Sequence, residues 1–514
     1  MAIQLRAILY LLPLIFTGTL WSQSPLTITI DDREQVAEID ERFSSYNVEM
    51  AEVVGGDFWI PYDQMDTSQT SDITAAGEVG ENKNRYRYRA PVDLSNRRLR
   101  TLAEALSPAF MRVSGSWANY VYFQDNDSAK LPKAPEGFKN VLTREEWRGV
   151  LDFADATGAD LMTSFAISPG TRDEDGRWTP EQARSLLDFT RQAGGTIEAV
   201  QFFNEPNMPE YAGAPKGYTA EDFAQDVAVF TDFIHEALPD VPIAGPDAVG
   251  EGGLMPAGMN MPLSTDALLS AAPKPDFDIF AYHHYGGVSL RCAQAPPMHS
   301  PVDSALTANW LHKTLGTYAF YKKEHDRHLP ETPIWLTETA EAACGGNPWA
   351  AEYIDVFRYL TQMGLLARED VKIIMHNTLT ASEYGMLDQA THTPRPNYWA
   401  ALLWRQLMGT RVYDPGVDGG RLGVYLHDHR DNPGGRTLLL INPTDAPITV
   451  DLPATSRAFV LNSDDLRSKT VYLNGKELTL TADDQLPEIT GKPVAAGAVE
   501  VPAYGVGFYV FSGY

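Results

Sequence analysis

Eight short apolar runs of strand character alternate with segments of helical character between residues 40 and 410, and this alternation leaves the chain few folds to adopt. The runs are 43–50, 109–115, 160–168, 197–204, 241–247, 277–285, 333–338 and 371–379. Eight strands joined by helical crossovers predict a (β/α)8 barrel, whose chemistry gathers at the C-terminal ends of its strands. The intervening helices carry their own punctuation. Thr143 with Glu146 forms a capping box and Gly158 a stop, and Thr179, Pro180 and Gln182 repeat the start signal before Gly194 and Gly195. After about Asp414 the pattern changes to short strands broken by turn residues, including Asn474-Gly475, and predicts an antiparallel β-sandwich. The expected organisation is a barrel over 39–412 and a sandwich over 413–514, to which a strand from residues 25–38 is added.

The 514 residues suit a barrel with a smaller second unit. Residues 1–22 read as a secretory signal, with Arg6 ahead of an apolar run at 7–16 and small or polar residues at 17–22. Pro13, Thr17, Gly18 and Thr19 leave that run short of the roughly 20 apolar residues a membrane span needs. The expectation is a secreted or periplasmic protein with no membrane anchor once the signal is removed. A net charge of −27 argues against nucleic-acid binding, which depends on basic residues neutralising phosphates. A polyanionic substrate would need a local basic site. Arg85, Arg87 and Arg89, alternating with Tyr86 and Tyr88 and followed by Arg97, Arg98 and Arg100, offer one, against the plainer reading of a solvated surface. The two cysteines, Cys292 and Cys344, fall on loops after neighbouring strands, where one bridge or two free thiols both stay open. The 51–91 loop is long for its place, and its Phe58, Trp59 and Tyr62 suit the lining of a cleft.

Two strands end on glutamate, in FFNEPN at Glu205 and WLTET at Glu338. A buried strand does not end on a carboxylate for packing reasons, because a desolvated charge is costly unless something pairs or uses it. Two facing carboxyls are what glycosidic cleavage requires, about 5 to 5.5 Å apart for a retaining enzyme. Asn204 can hydrogen-bond a sugar hydroxyl beside the acid, and Pro206 stiffens the turn after it. Asn-Glu-Pro on strand four with a glutamate on strand seven resembles the large superfamily of retaining glycosidases built on (β/α)8 barrels. That resemblance implies Glu205 as acid/base and Glu338 as nucleophile, a division that spacing alone does not give. No cluster has a convincing zinc spacing and Cys292 lacks a neighbouring base, so neither metal, cofactor nor cysteine chemistry is expected.

The stretches SPAFMRVSGS, FFNEPN, YHHY, WLTETAEAACGG, the block from Met375 to Met408 and the end VPAYGVGFYVF together resemble the heparanase and β-glucuronidase family, glycoside hydrolase family 79. The resemblance implies retaining cleavage of β-linked glucuronic acid in an oligo- or polysaccharide. It also implies that the sugar carboxylate is held by backbone N–H groups of Gly345-Gly346 and by Tyr384, and that Tyr285 contacts Glu338. Of His283 and His284, one should approach the sugar, here assigned to His283, and the other should be a core residue. Asn47, Glu49 and Asn377 are candidates for sugar hydroxyls, and Arg112 for a structural partner of buried carboxylates. Two alternatives remain: a retaining glycosidase acting on a neutral sugar of xylose, arabinose or glucose type, and a non-catalytic glycan-binding protein.

Overall fold

The computed structural model describes residues 25–65, 84–255, 261–293 and 298–513. The signal expected at 1–22 and residues 66–83 of the long loop lie outside them. The eight barrel strands are β1 (Ser44–Glu49), β2 (Ala109–Ser114), β3 (Ala159–Thr163), β4 (Ala199–Gln201), β5 (Ile243–Ala248), β6 (Ile279–Tyr285), β7 (Ile334–Ala340) and β8 (Ile373–His376). Every neighbouring pair is parallel, and β1 pairs with β8, which closes the barrel. Each strand leads to a helix: α1 (Arg97–Glu104), α2 (Arg144–Thr157), α3 (Glu181–Gln192), α4 (Ala220–Ala237), α5 (Thr265–Ser270), α6 (Lys313–His328), α7 (Ile354–Arg368) and α8 (Pro396–Leu407).

Side chains on a strand alternate between its two faces, so every second residue enters the barrel. Near the N-terminal ends those residues are apolar: Phe110, Met162, Ala199, Ala244, Ala281, Trp335 and Ile373 pack into one buried cluster. Two residues further along, the same face carries Arg112, Gln201 and His283, all buried. The barrel thus has a greasy floor beneath a polar upper layer. Pairing slips by one residue where Asp247 bulges from β5, and again on β7 between Leu336 and Glu338. A bulge re-aims the side chains that follow it. The two extra residues meet, because the Thr337 hydroxyl donates to Asp247.

The local signals hold for α2. The Thr143 hydroxyl accepts from the Glu146 N–H at 3.2 Å, the Glu146 carboxylate accepts from the Thr143 N–H at 2.8 Å, and Gly158 ends the helix at φ 65°. At α3 the end signal holds, with Gly194 at φ 80° just past the helix, but the start signal fails, since Pro180 takes the cap position without a side-chain bond. Thr179 donates instead to the Thr171 carbonyl at 3.0 Å, and the Gln182 side chain accepts from the Phe123 N–H at 2.7 Å. Tertiary partners have claimed both would-be capping groups.

The segments before and after the barrel form two sheets. One has nine strands, running Gln35–Glu38, Met408–Tyr413, Gly423–His429, Asn432–Asn442, Gly505–Phe511, Ser456–Asn462, Tyr472–Leu473 and Lys476–Glu477, with Lys492–Val494 beside Ser456–Asn462. The other has three, Leu26–Thr27, Ile448–Leu452 and Gly497–Val501. Alternation along Asn432–Asn442 shows how they stack. Leu438 and Leu440 pack with Val450, Leu452 and Val501 of the small sheet, whereas Leu439 and Ile441 join the main core shared with the barrel helices. No helix among the described residues is long and apolar enough to cross a membrane.

Candidate active site

Glu205 follows β4 with its backbone in the left-handed region, at φ 55°, an uncommon state for a residue with a side chain and one that clusters at functional sites. Glu338 lies on β7 just past the bulge. Both are almost fully buried, and carboxylate oxygens of the two lie within 4.8 Å of each other and of a His283 ring nitrogen. Their other partners differ. Glu338 accepts from Arg112 Nη1 at 2.8 Å and from the Tyr285 hydroxyl, while Glu205 Oε1 faces His283 Nδ1 at 3.2 Å.

Electrostatics divides the pair in the same sense. Burial raises the Glu205 carboxyl, and the charge of Glu338 adds to this against a hydrogen bond from His283. Burial also works against ionised Glu338, but the His283 and Arg112 charges and the Tyr285 hydrogen bond outweigh it and leave the carboxyl below its ordinary value. One site is thereby biased towards the acid and the other towards the carboxylate, which is how acid/base assignments are told apart. Burial opposes charge on His283, yet Glu338, Asp247 and Glu205 surround it and push it up to about 9.

Of the residues singled out in the sequence, Tyr285 and Asn377 lie at the centre. Asn377 Nδ2 donates to the Tyr285 hydroxyl at 3.0 Å and to Glu49 Oε1 at 3.1 Å, and it approaches the Tyr384 hydroxyl at 3.3 Å. Tyr384 lines the cavity above the carboxylates. Burial, helped by the Glu49 and Glu338 charges, holds its phenol protonated and so able to donate. His283, expected to approach the sugar, is instead fully buried between Glu205 and Asp247, with Asp247 Oδ1 3.5 Å from Nε2. It is not among the described residues that line the cavity. His284 faces outward to the Thr317 hydroxyl at 2.9 Å, and burial lowers it to about 3, as suits a core histidine. Asn204 and Asn47 are likewise set below the cavity surface: Asn204 Oδ1 accepts from Arg112 at 2.7 Å, and Asn47 Nδ2 donates to the Thr337 carbonyl at 3.2 Å. Arg112 ties Gln201, Asn204 and Glu338 together.

Gly345 and Gly346 form a turn that no other residue fits, at φ 80° and 75°. A Cβ on Gly345 would come within 2.9 Å of both Trp59 and Ser382 Oγ, and one on Gly346 within 3.0 Å of Tyr384. Arg291, fully buried, holds the turn from one side by donating to the Cys344 carbonyl at 3.1 Å and the Gly346 carbonyl at 2.9 Å while pairing with Glu383. Among the described residues, neither glycine N–H finds an acceptor. Cys292 and Cys344 are bonded, with Cα atoms 6.3 Å apart, which fastens this turn to the loop after β6. Ladder hydrogen bonds from Ser289 and Ala343 already pin the two loops. Reduction is therefore expected to raise KM about threefold or more while moving the thermal midpoint by only a few degrees. Parallel KM and melting measurements with and without reductant check this, and a lower midpoint at constant KM would limit the bridge to stability.

The arginine cluster does not form one basic surface. Arg85 is buried at the cavity wall, Arg89 donates to the Trp59 carbonyl at 2.8 Å, Arg98 pairs with Asp484 in the second unit, and Arg100 donates to the Leu94 carbonyl. Of the long loop, Trp59 lines the cavity, Phe58 is buried edge-on against Trp117, and the Tyr62 hydroxyl donates to the Gly346 carbonyl at 2.9 Å. Several residues that shape the site were missed from sequence: Asp247, Arg291 and the role of Glu52, whose carboxylate accepts from the Glu49 N–H. Asp247 carried a readable signal, since it too closes a buried strand on a carboxylate.

A parallel eight-stranded barrel with two facing glutamates at the C-terminal ends of its fourth and seventh strands defines a glycoside hydrolase of the (β/α)8 type. Residues 86–364 match the family model for the glycosyl hydrolase family 79 N-terminal domain, more than half of the chain, and the protein belongs to glycoside hydrolase family 79. Its relatives include heparanase-like protein 1 of Arabidopsis thaliana, 26% identical over 90% of this chain and 89% of that one, and heparanase of Gallus gallus, 28% identical over 81% and 88%. Among solved structures, a 4-O-α-L-rhamnosyl-β-D-glucuronidase from Fusarium oxysporum superposes with a TM-score of 0.63 at 11% identity, over 95% of this chain and all of the other. The chain is a heparanase-like glycoside hydrolase.

Proposed function

We propose that the enzyme cleaves β-linked glucuronic acid from glycans by double displacement, with Glu338 as nucleophile and Glu205 as acid/base. The observation that carries this reading is the spacing of the two carboxylates, with oxygens within 4.8 Å and opposite hydrogen-bond surroundings. A separation of this order leaves no room for the water that an inverting enzyme holds between sugar and base. In the first step Glu338 attacks the anomeric carbon, and Glu205 gives its proton to the departing oxygen. In the second, Glu205, now ionised, takes a proton from water as that water displaces Glu338. Arg112 and Tyr285 hold Glu338 in place for attack, and His283 orients Glu205.

Recognition of glucuronate is supported by the Gly345 and Gly346 N–H groups beside the Tyr384 phenol. Together they hydrogen-bond a carboxylate without burying a cation next to it. The Cys292–Cys344 bridge supports export, because disulfides persist in oxidising compartments. Following the reaction by proton NMR tests the mechanism. The first glucuronic acid released should be the β anomer, later equilibrating, and the α anomer appearing first would overturn it.

A further inference from the structure

The cavity above the two glutamates has a volume of about 1040 Å³, and its two sides differ in chemistry. Glu49, Trp59, Asn377 and Tyr384, from the β1 and β8 ends, make one side. The other, on the loops after β4, β5 and β6, carries Met208, Leu254, Met255, Met261, Leu263 and Met298. Four of the chain's 14 methionines stand on this one wall, so their gathering there is no accident of composition. Met208 is anchored directly to the acid/base turn, its N–H donating to the Glu205 carbonyl at 3.0 Å.

The sugar must place its anomeric carbon over Glu338 and, on the glucuronidase reading, its carboxylate towards Tyr384. The leaving oxygen receives its proton from Glu205, so the leaving group extends past Glu205 onto the methionine wall. On the loops after β4, β5 and β6, the charged side chains that line the cavity among the described residues are, apart from Glu205, Lys216 and Glu210. One charge of each sign offers a sulfated or uronic leaving group no net attraction, whereas unbranched thioether side chains adapt to apolar groups of varied shape. Resting on the glucuronidase reading, we infer that the leaving-group subsite takes a hydrophobic alcohol or phenol, making the enzyme a hydrolase of apolar glucuronides in preference to anionic polysaccharide.

Methyl and octyl β-glucuronides test this, because their leaving alcohols have similar acidity and differ in apolar surface. The octyl compound should be at least tenfold better in kcat/KM, chiefly through a lower KM, and Met255→Ser with Met261→Ser should bring the octyl-to-methyl ratio towards one. It should also exceed a glucuronyl disaccharide with a sulfated N-acetylglucosamine leaving group. A ratio near one in the wild type, a ratio untouched by the double substitution, or a better sulfated disaccharide would overturn the inference while leaving the glucuronidase reading in place. Inertness towards every glucuronide, with alkyl glucosides or xylosides cleaved, would instead overturn that reading and this inference with it.

Discussion

Glu338→Ala should lower kcat/KM by at least about ten-thousandfold on every substrate, roughly 5 kcal/mol of transition-state stabilisation, because on the double-displacement reading Glu338 forms the glycosyl intermediate. Glu205→Ala should behave differently. A nitrophenolate leaves with little protonation, so nitrophenyl glucuronide should retain slow turnover while an alkyl glucuronide loses nearly all of it. Steady-state kinetics of both variants on both substrates provides the check. Equal losses on the two leaving groups in Glu205→Ala would remove the assignment of Glu205 as acid, and a Glu338→Ala enzyme within a hundredfold of wild type would remove Glu338 as nucleophile. The surroundings support the division: Arg112 and Tyr285 lie on Glu338, and His283 lies against Glu205.

The second large effect concerns the sugar. Glucuronides should exceed matching glucosides by at least about a hundredfold in kcat/KM, or roughly 2.7 kcal/mol, since a glucoside leaves the Gly345 and Gly346 N–H groups and the Tyr384 phenol without their acceptor. Tyr384→Phe should narrow this gap by slowing glucuronide cleavage alone. Paired nitrophenyl substrates measure both. A wild-type preference for glucosides or xylosides, or equal slowing of both sugars by Tyr384→Phe, would return the neutral-sugar alternative.

The eight barrel strands were legible as short runs rich in apolar residues, because burial on both faces favours that composition. Their closing carboxylates were legible for the converse reason, being conspicuously wrong for packing. What escaped was set by register and by distant partners. The bulge on β7 has no mark in WLTET, yet without it strict alternation would turn Glu338 away from His283. Nor could the sequence tell that His283 would be enclosed by Glu205 and Asp247 rather than face the sugar, since Asp247 comes from another strand and meets it only after closure. Gly423–His429 has no polar face by which the sequence could mark it as a strand, because Tyr425 and His427 face the barrel helices while Val424 and Leu426 face the small sheet. Arg291 looked like an ordinary loop residue. Only its buried contacts with the Cys344 and Gly346 carbonyls make it the support of the glycine turn.

The strand that precedes the barrel, Gln35–Glu38, is paired antiparallel with Met408–Tyr413, the strand that follows it. Chain entry and exit are thus stitched side by side at one edge of the nine-stranded sheet. That sheet also presses Tyr425 into the notch left by Gly364 on α7, where even a methyl group would collide with the ring at 2.4 Å. Helix α7 is buried on nearly all sides, as a helix must be when it lies between two bodies of protein and not on a surface. The barrel is therefore not a free-standing catalytic module carrying a dispensable appendage. Its last two helices would face water along apolar surfaces if the sheet were cut away, and β7 and β8, which carry Glu338 and lead into Asn377, pack directly inside them. In modular terms the sheet behaves as a keystone: gene fusions, transplants and truncations that respect the barrel's sequence limits but omit the sheet would cut through a single cooperative core, and the strand that carries Glu338 would be among the first to lose its support.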